Sequence, residues 1–313
     1  TAKTIKPDAL KSLYLRSLDG KKGNETAVTL FHKQRNSTLC IADGIGWVPW
    51  SLQKPKRSEL IIEFSGTRLV NSWRGADRNP MEGDISLWLD HVDYLIPDKE
   101  QRENVLDYFA MIFQYPRKKP AFTVLHRGSP GVGKDLMLVP IVQYLGASNA
   151  GTAKVSEVID GWGDYLARKK FLIIEEVDKA QNRTVNNALK TILAPTATGF
   201  RTLNMKSGSV VTQLDCLVTY FMSNRKNAIT LEQDDRRYYV VDSFIKPKDE
   251  GYYKRIDHWL QNEDGISKVV NYLLQRNIEK FNPMRLPGRT SGMIEMMHTG
   301  KYDYETTIQE LAA

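Results

Sequence analysis

The sequence has only two cysteines among its 313 residues, Cys40 and Cys216, and they lie far apart with no second set of metal ligands beside either. This scarcity gives no indication of a disulfide framework or of a zinc site. No apolar run approaches the roughly 20 residues that span a bilayer, and the chain has no signal-like beginning. We therefore expect a protein of a reducing compartment, the cytoplasm, that does not bind membranes.

Internal repeats and low-complexity tracts are also absent, and the composition is that of an ordinary globular protein. The chain begins TAKTIKPD without a methionine, which we interpret as the start of a processed protein or of a fragment. Its 44 Lys plus Arg against 37 Asp plus Glu leave a formal charge of +7. This excess favours a polyanionic partner, although a basic surface with no partner explains it as well.

The order of β-like and helical patterns predicts three parts. Residues 1–120 mix short β-like runs such as ELIIEF with one helical pattern, QRENVLDYFAMIFQY. Residues 121–245 alternate apolar β runs with helical patterns, which indicates an α/β sheet with crossover helices. Residues 246–313 form a helical region with a polar tail. We thus predict an α/β fold with a central parallel sheet, flanked by an N-terminal mixed region and a C-terminal helical region. In the first helical pattern one face is predicted to be core, formed by Val105, Tyr108, Phe109, Ile112 and Phe113.

A glycine-rich stretch, GSPGVGKD, follows the apolar run FTVLH and opens a helical pattern. Its glycines and lysine fit the spacing G-x-x-x-x-G-K of a phosphate-binding loop, in which backbone N–H groups surround the phosphates and the lysine adds positive charge. The N-terminus of the following helix favours the same anion. The alternative is a strand-to-helix turn that needs glycine for steric reasons. The predicted ATP-binding residues are Gly128, Ser129, Pro130, Gly131, Val132, Gly133, Lys134 and Asp135.

Asp135 stands where a Ser or Thr normally places its hydroxyl on the magnesium ion of the nucleotide. A carboxylate near a phosphate costs about 1 to 4 kcal/mol per charge pair at about 4 Å. A magnesium ion between the two groups reverses the sign, because carboxylate oxygen is a favoured ligand. We predict that Asp135 lies on the magnesium side of the site, directly or through water. An acidic residue in the first turn of a helix is also stabilising without any function.

The run FLIIEE ends in two carboxylates, Glu175 and Glu176. In a nucleotide hydrolase the strand beside the phosphate loop ends in this way: the first carboxylate holds magnesium, usually through water, and the second polarises the attacking water. The alternative is a strand that emerges into solvent. The order of the two motifs favours the functional interpretation, with Asp135 and Glu175 at the metal and Glu176 as the catalytic base.

Two further polar features follow along the chain, a basic hairpin-like segment and an asparagine after an apolar run. Arg201 and Lys206 flank a hairpin-like turn at KSGS, and the apolar run CLVTYFMS ends just before Asn224. An amide at the end of this strand can orient the lytic water or detect the γ-phosphate. Asn224 is otherwise an ordinary turn residue, and Lys206 is otherwise a solvated turn lysine.

An arginine pair, Arg236 and Arg237, precedes the β run YYVVD. An arginine that reaches the γ-phosphate of a neighbouring subunit raises turnover by about three to five orders of magnitude. The alternative is a salt bridge with Asp234 or Asp235.

Taken in order, GSPGVGKD, FLIIEE, the basic hairpin, FMSN and DDRRYYVVD resemble the motifs of a superfamily 3 helicase of the AAA+ class, above all the helicase part of phage and plasmid primase-helicases. The run LVNSWRG is similar to the region that precedes the ATPase core in such proteins, so the resemblance covers residues 70–242. It implies a P-loop ATPase core that uses ATP and Mg²⁺, a homohexameric ring, and movement of single-stranded DNA through that ring. No primase constellation is visible, and a primase or polymerase is expected upstream of Thr1 if one belongs to the protein.

Carried to this sequence, the resemblance implies a role for each motif residue. One lysine binds the phosphates. Separate residues hold the metal, activate the water, detect the γ-phosphate and reach the site of the neighbouring subunit. The DNA backbone is contacted by basic residues of the hairpin. The implied residues are Lys134 for the phosphates, Glu175 for magnesium, Glu176 for water activation, Asn224 as sensor, Arg236 with Arg237 as its alternate for the neighbouring subunit, and Lys206 followed by Arg201 for DNA.

Three functions are compatible with these residues. The first is an ATP-dependent DNA helicase or translocase domain of a phage-type replication protein in the host cytoplasm. The second is a ring-forming loader or initiator module with weak or vestigial hydrolysis, which Asp135 favours. A small-molecule kinase with the same loop is the third, and the combination of a sensor asparagine with an arginine acting on a neighbour disfavours it.

Overall fold

The computed structural model of the protein describes residues 44–49, 61–64, 66–177, 183–208 and 210–299. The start of the predicted N-terminal region and the predicted polar tail lie outside these residues. The described chain contains two five-stranded sheets and eight α-helices. The strands are β1 (Gly44–Trp47), β2 (Ile61–Phe64), β3 (Thr67–Asn71), β4 (Thr123–Gly128), β5 (Ala150–Lys154), β6 (Phe171–Glu175), β7 (Phe200–Asn204), β8 (Val210–Leu214), β9 (Val218–Ser223) and β10 (Tyr238–Ser243). The helices are α1 (Ser86–Leu95), α2 (Lys99–Gln114), α3 (Lys134–Leu145), α4 (Val155–Ile159), α5 (Arg183–Leu193), α6 (Glu250–Asn262), α7 (Gly265–Gln275) and α8 (residues 291–299).

The central sheet is parallel throughout and has the strand order β10-β4-β9-β6-β5. Every residue of β4 and β9 is buried, as expected for strands that are covered on both faces by crossover helices. The predicted α/β fold with a parallel central sheet is therefore confirmed. The order differs from expectation in one respect, because β9 lies between the phosphate-loop strand β4 and the acidic strand β6.

Helix α2 packs against this sheet with the face that its sequence predicts. The helix begins at an N-cap residue, Asp98, whose side chain accepts a hydrogen bond from the backbone N–H of Gln101 at 2.9 Å. It belongs to the larger of two apolar clusters around the sheet, together with residues of α1, α3 and α7. The five predicted core residues, Val105, Tyr108, Phe109, Ile112 and Phe113, are all buried.

The second sheet has the order β2-β3-β1-β8-β7 and joins two distant parts of the chain. Strands β7 and β8 form the predicted hairpin, with antiparallel pairing from Phe200 with Leu214 to Asn204 with Val210. Strand β8 also pairs in parallel with β1. The sheet therefore crosses the domain boundary predicted at residue 120, a division that stays a prediction.

The helices that follow β10 return to the parallel sheet. Helix α6 begins at Asp249, which caps the N–H of Tyr252 at 3.0 Å, and α7 packs against α3 and α2. Helix α8 inserts methionines into the second apolar cluster of the sheet. Within the described ranges, none of the helices combines the length and apolarity needed to cross a bilayer.

Candidate nucleotide site and neighbouring surfaces

The predicted motif residues meet at the carboxyl edge of the parallel sheet. The strand register pairs Gly128 of β4 with Ser243 of β10, and Lys154 of β5 with Glu175 of β6. Strand β9 ends between them at Ser223. Open parallel sheets bind ligands at this edge, because the loops that leave all the strands converge there.

Two glycines fix the shape of the loop between β4 and α3. A Cβ on Gly128 would lie 2.7 Å from the carbonyl oxygen of Ser243, so only glycine lets the two strand ends approach. Gly133 has a φ of +89°, which favours glycine, and a Cβ there would meet the rings of His91 and Tyr253. The loop conformation thus depends on the glycines that the motif supplied.

A buried histidine supports the end of the loop from behind. His91 of α1 donates from Nε2 to the carbonyl of Gly133 at 2.9 Å, so its Nδ1 accepts from the hydroxyl of Tyr252 at 3.1 Å. Burial lowers the pKa of His91, against the opposing effect of the Gly133 carbonyl. The histidine therefore remains neutral and orients the last peptide of the loop.

A second buried histidine lies beneath the loop, within β4. The hydroxyl of Ser243 donates to the carbonyl of Leu95, so it accepts from His126 Nε2 at 2.6 Å, and the other ring nitrogen accepts from Tyr220 at 2.7 Å. Burial, followed by the charge of Lys134, lowers the pKa of His126 to about 3. The ring is neutral and fully hydrogen-bonded, which makes it part of the floor of the site.

Lys134 lies within the loop rather than in solvent. Its Nζ donates to the carbonyls of Gly128 and Ser129 at 2.8 and 2.9 Å, and to Asn224 Oδ1 at 2.9 Å. The lysine of the phosphate motif and the asparagine at the end of β9 are therefore in direct contact. Because the amide oxygen faces the lysine, the amide nitrogen is the group with which Asn224 can donate to a phosphate or a water.

The loop that carries Asn224 is held from the adjacent strand. Arg127 of β4 is fully buried and forms a bidentate ion pair with Asp242 of β10, at 2.8 and 2.7 Å. The same guanidinium donates to the carbonyl of Lys226, two residues after Asn224. Arg127, in the strand that leads into the glycine-rich loop, thereby fixes the position of the loop that carries Asn224.

Three carboxylates gather beside the lysine. Asp135 lies in the first turn of α3, Glu175 is the last residue of β6, and Glu176 follows it. Burial, then the negative charges of Asp135 and Glu176, raise the pKa of Glu175, and Lys154 opposes the shift. Such crowding of like charge is relieved by a bound cation.

Glu176 has an unusual backbone and a basic neighbour. Its φ of +54° lies in the left-handed region, which costs a non-glycine residue roughly 1 to 3 kcal/mol and is enriched at functional sites. Its carboxylate lies 3.4 Å from the Nζ of Lys154, with both side chains about half exposed. Glu176 thus combines a left-handed backbone with an ion pair to Lys154.

These groups line a cleft of about 600 Å³, a volume suited to a small-molecule ligand. The lining includes the loop of residues 130–136 and, at the end of β9, Met222, Ser223 and Asn224. Helix α6 adds three residues that the sequence analysis missed, Tyr253, Lys254 and Asp257. No motif signals them, because they lie far along the chain in a helix whose pattern indicates only packing.

A magnesium ion would fit this donor set. Within the part of the chain that the structure describes, no group of three or more His, Cys, Asp or Glu residues could hold a metal ion. Magnesium is usually held by one or two carboxylates together with phosphate oxygens and waters. Asp135 and Glu175, which both line the cleft, would supply those two carboxylates.

The arginine pair lies at the opposite, amino edge of the sheet. Arg237 immediately precedes β10, and its guanidinium lies 3.5 Å from Asp235. Arg236 is exposed. The six residues of β10 separate both from the phosphate loop by about 20 Å, at about 3.3 Å per residue. Neither arginine can therefore reach the cleft of its own subunit.

The hairpin tip carries Lys206, whose side chain is 62% exposed. Its backbone N–H donates to Asp164 at 2.9 Å, and its Nζ lies 4.0 Å from Asp160. Between these two acids Trp162 exposes 44% of its surface. The sequence analysis missed Trp162, although a tryptophan between two glycines and two acids in DGWGD is an available signal of an exposed aromatic residue.

Arg201 faces inward from the root of the hairpin. Its guanidinium contacts Asp215 at 3.3 Å and donates to the carbonyl of Ala194 at 2.9 Å. The guanidinium of Arg201 is therefore engaged in contacts within the protein. Lys206 is therefore the better placed of the two for a DNA contact, and the DNA contact of Arg201 stays a prediction.

The structure is that of an α/β protein with a cleft between a glycine-rich loop and the ends of parallel strands, and comparisons with known proteins extend this description. A family of unknown function, DUF5906, matches residues 126–237, which contain every motif of the cleft. No curated protein matches the chain significantly.

Solved structures of the C-terminal region of NrS-1 are similar to the chain. Its apo structure (305–718) has a TM-score of 0.64 at 18% identity, over 79% of this chain and 60% of that one. The A form apo structure has a TM-score of 0.64 at 17% identity, over 79% and 59%. The chain therefore has the fold of this region and spans about three fifths of its length.

Proposed function

We propose that the protein is the ATP-dependent DNA-translocating part of a phage-type replication protein in the host cytoplasm. The observation that carries the proposal is the contact between Lys134 and Asn224, at 2.9 Å, within a cleft that also contains Asp135, Glu175 and Glu176. A turn that needs glycine only for steric reasons has no use for a buried lysine, a strand-end amide and three carboxylates around one cavity. The fold shared with the C-terminal region of NrS-1 supports the proposal.

In this function each group of the cleft acts on ATP. Lys134 leaves the carbonyls of its own loop to bind β- and γ-phosphate oxygens, and the loop N–H groups and the N-terminus of α3 bind the remaining charge. Asp135 and Glu175 would hold Mg²⁺, which supplies charge neutralisation at the phosphates. Glu176 accepts the proton of the attacking water, and the amide nitrogen of Asn224 orients that water or the γ-phosphate.

A ring completes the site with a residue from the next subunit. Arg236 is exposed at the far edge of the sheet, too distant for its own cleft. An arginine there serves a neighbouring γ-phosphate when subunits follow one another head to tail, and such an arrangement forms a ring where the rotation between subunits closes. We propose a homohexamer, with Arg237 secondary because it lies beside Asp235.

Single-stranded DNA is the proposed polymer. Lys206 lies at the hairpin tip, and the exposed Trp162 lies between Asp160 and Asp164, which both contact Lys206. This combination of a cation with an exposed aromatic ring is suited to a phosphate and a stacked base. Asp160 and Asp164 beside them limit the positive charge, so we expect weak, sequence-independent contacts that a moving strand can leave. A primase or polymerase in the same replication protein is part of the proposal.

The test is phosphate release from ATP with and without single-stranded DNA, in the wild type and in Lys134→Ala. We expect DNA to stimulate the wild type, and the variant to lose about two orders of magnitude because it loses charge-assisted bonds to two phosphates. Equal phosphate release from the two proteins would sink the proposal.

A ring-forming loader with vestigial hydrolysis is the second candidate, favoured by Asp135 in place of a hydroxyl residue. Turnover in Asp135→Ser separates the two candidates. A loss of turnover supports an adapted magnesium ligand in an active hydrolase, whereas a large gain supports a damped site. Binding of a fluorescent ATP analogue serves as the control that the loop remains intact.

A further inference from the structure

The hairpin β7–β8 joins the rest of the protein at a cluster of charged side chains, which we call the root junction. It consists of Lys119, Lys170, Arg201 and Asp215, at the amino edge of the parallel sheet. Asp215 lies between β8 and β9, and its side chain is only 3% exposed. A buried carboxylate in this position requires partners, since an isolated buried charge is strongly unfavourable.

Asp215 receives hydrogen bonds from three directions. Lys119, which precedes β4, lies 3.0 and 3.1 Å from its two oxygens. Arg201, in the other arm of the hairpin, contacts the same two oxygens at 3.3 Å, and the N–H of Thr196 donates at 3.1 Å. One carboxylate therefore ties both arms of the hairpin root to the segment before the phosphate-loop strand.

The two cations also bind the end of α5. Lys119 donates to the carbonyls of Ile192 and Ala194 at 2.8 and 3.1 Å, and Arg201 donates to Ala194 at 2.9 Å. Cations at a helix C-terminus satisfy its last carbonyls and complement its dipole. Because α5 is the helix that follows the acidic motif, the junction joins that motif to the hairpin.

Lys170 adds a connection to the acidic strand itself. It immediately precedes β6, is fully buried, and donates to the carbonyls of Lys118 and Cys216 at 3.1 and 3.0 Å. Burial lowers the pKa of Lys170 to about 8. The strand that ends in Glu175 therefore begins at the junction.

The sensor strand provides the other path from the junction to the cleft. Strand β9 begins at Val218, shortly after Asp215, and ends at Ser223. The next residue is Asn224, which accepts a hydrogen bond from Lys134 at 2.9 Å. Two adjacent strands, β6 and β9, thus each have one end at the root of the hairpin and the other end at the phosphates.

We propose that Asp215 is a positioning residue that couples the nucleotide state of the cleft to the position of the hairpin. The inference rests on the proposed function, in which the hairpin moves DNA. Asp215 touches neither nucleotide nor DNA. Without its negative charge, Lys119 and Arg201 repel each other, and the hairpin root loses the ion pairs that tie it to the segment before β4.

Two measurements on Asp215→Asn test the coupling. The first is hydrogen exchange of the hairpin amides with and without a non-hydrolysable ATP analogue. We expect the analogue to change protection of β7 and β8 in the wild type, and to leave it unchanged in the variant. The second is the number of base pairs unwound per ATP hydrolysed, which we expect to fall about tenfold, within the usual range of coupling between sites. ATP affinity and DNA-independent hydrolysis should remain those of the wild type.

Controls distinguish coupling from damage to the fold. Glu279→Gln removes an exposed carboxylate elsewhere and should match the wild type in both measurements. Arg201→Gln, which leaves the pair between Lys119 and Asp215 in place, should show an intermediate effect and serves if Asp215→Asn does not fold.

The proposal is overturned if base pairs per ATP and the nucleotide response of the hairpin both match the wild type in the variants, or if all activities fall in proportion to lost folded protein. A wild type without DNA-stimulated hydrolysis would instead count against the proposed function. In that case hydrogen exchange still decides whether Asp215 links the cleft to the hairpin.

Discussion

The two edges of the parallel sheet use the same kinds of side chain in opposite ways. At the carboxyl edge, Asp135, Glu175 and Glu176 crowd together around an open cleft, and burial together with this like charge raises the pKa of Glu175. At the amino edge, Asp215 is buried; although burial opposes it, Lys119 and Arg201 hold the pKa of that carboxyl below its usual range.

The carboxylates at the two edges of the sheet therefore differ in what they can bind. Carboxylates that repel one another next to solvent are arranged for a cation or a proton, and carboxylates surrounded by fixed cations hold segments of the chain in place. In the proposed function the carboxyl edge serves hydrolysis, and the amino edge serves attachment of the hairpin and contact with a neighbour through Arg236.

The largest effect is expected from Arg236, which we propose acts on the cleft of a neighbouring subunit and not on its own. Arg236→Ala should lower kcat for ATP by about three to five orders of magnitude, because the neighbouring γ-phosphate loses a stabilising charge. Arg237→Ala should have a small effect, since Arg237 lies beside Asp235. Mixing Arg236→Ala with Lys134→Ala subunits should restore some activity, because some interfaces then combine two intact halves. Mixtures without any restored activity would contradict a role between subunits.

The next largest effect is expected from Glu176, the proposed catalytic base at the carboxyl edge of the sheet. Glu176→Gln should lower the rate of phosphate release by about two to four orders of magnitude, because the attacking water loses its base. Nucleotide affinity should be retained, since the loop and Lys134 are unchanged. Glu232→Gln, an exposed carboxylate paired with Lys190, is the matched control. Undiminished hydrolysis in Glu176→Gln would remove this residue from the mechanism.

The hairpin tip should show a smaller effect, measured as affinity for single-stranded DNA over a range of salt. Trp162→Ala should cost about 1 to 3 kcal/mol for one stacked base, with the salt dependence unchanged. Lys206→Ala should reduce the slope of log K against log salt by about 1, for one phosphate contact. Lys280→Ala, an exposed lysine elsewhere, should change neither quantity. Identical salt slopes for wild type and Lys206→Ala would exclude the phosphate contact.

The smallest effect concerns the floor of the site and its dependence on pH. The unfolded chain protonates His126 near pH 6.5, whereas burial and then the charge of Lys134 lower its pKa in the folded protein to about 3. Protons therefore favour unfolding, and below pH 6.5 this residue should reduce the free energy of unfolding by about 1.4 kcal/mol per pH unit. His91, with its lowered pKa, acts in the same direction.

Urea titrations between pH 8 and 5 measure this slope. His126→Asn should be less stable than the wild type at pH 8 but should lose less stability on acidification. His258→Gln, which replaces an exposed histidine, is measured alongside as the substitution control. A wild-type slope in His126→Asn would contradict a neutral buried histidine at that position.

Local patterns predicted much of the fold and of the cleft. The face of α2 follows from helical spacing, and β4, β6, β9 and β10 follow from apolar runs bounded by polar residues. The glycine loop, the acidic strand end and Asn224 were predicted to act together, and they meet in one cleft because the carboxyl ends of parallel strands share an edge.

Long-range pairing and burial were beyond such patterns. Nothing in the sequence of β8 indicates that it pairs with β1, or that β9 lies between β4 and β6. Arg201 and Lys206 look alike in the sequence, yet one is committed to Asp215 and the other is exposed at the tip. Charge type is local information, whereas burial depends on the whole fold.

The most direct test of the account is electron microscopy of the protein with a non-hydrolysable ATP analogue, Mg²⁺ and single-stranded DNA. The account predicts a ring in which the analogue occupies the cleft of Lys134 and Asn224, Arg236 of each subunit reaches the γ-phosphate of its neighbour, and the hairpin tips line a channel that contains DNA. A monomer with an empty cleft, or a ring in which the hairpins point away from the DNA, would contradict it.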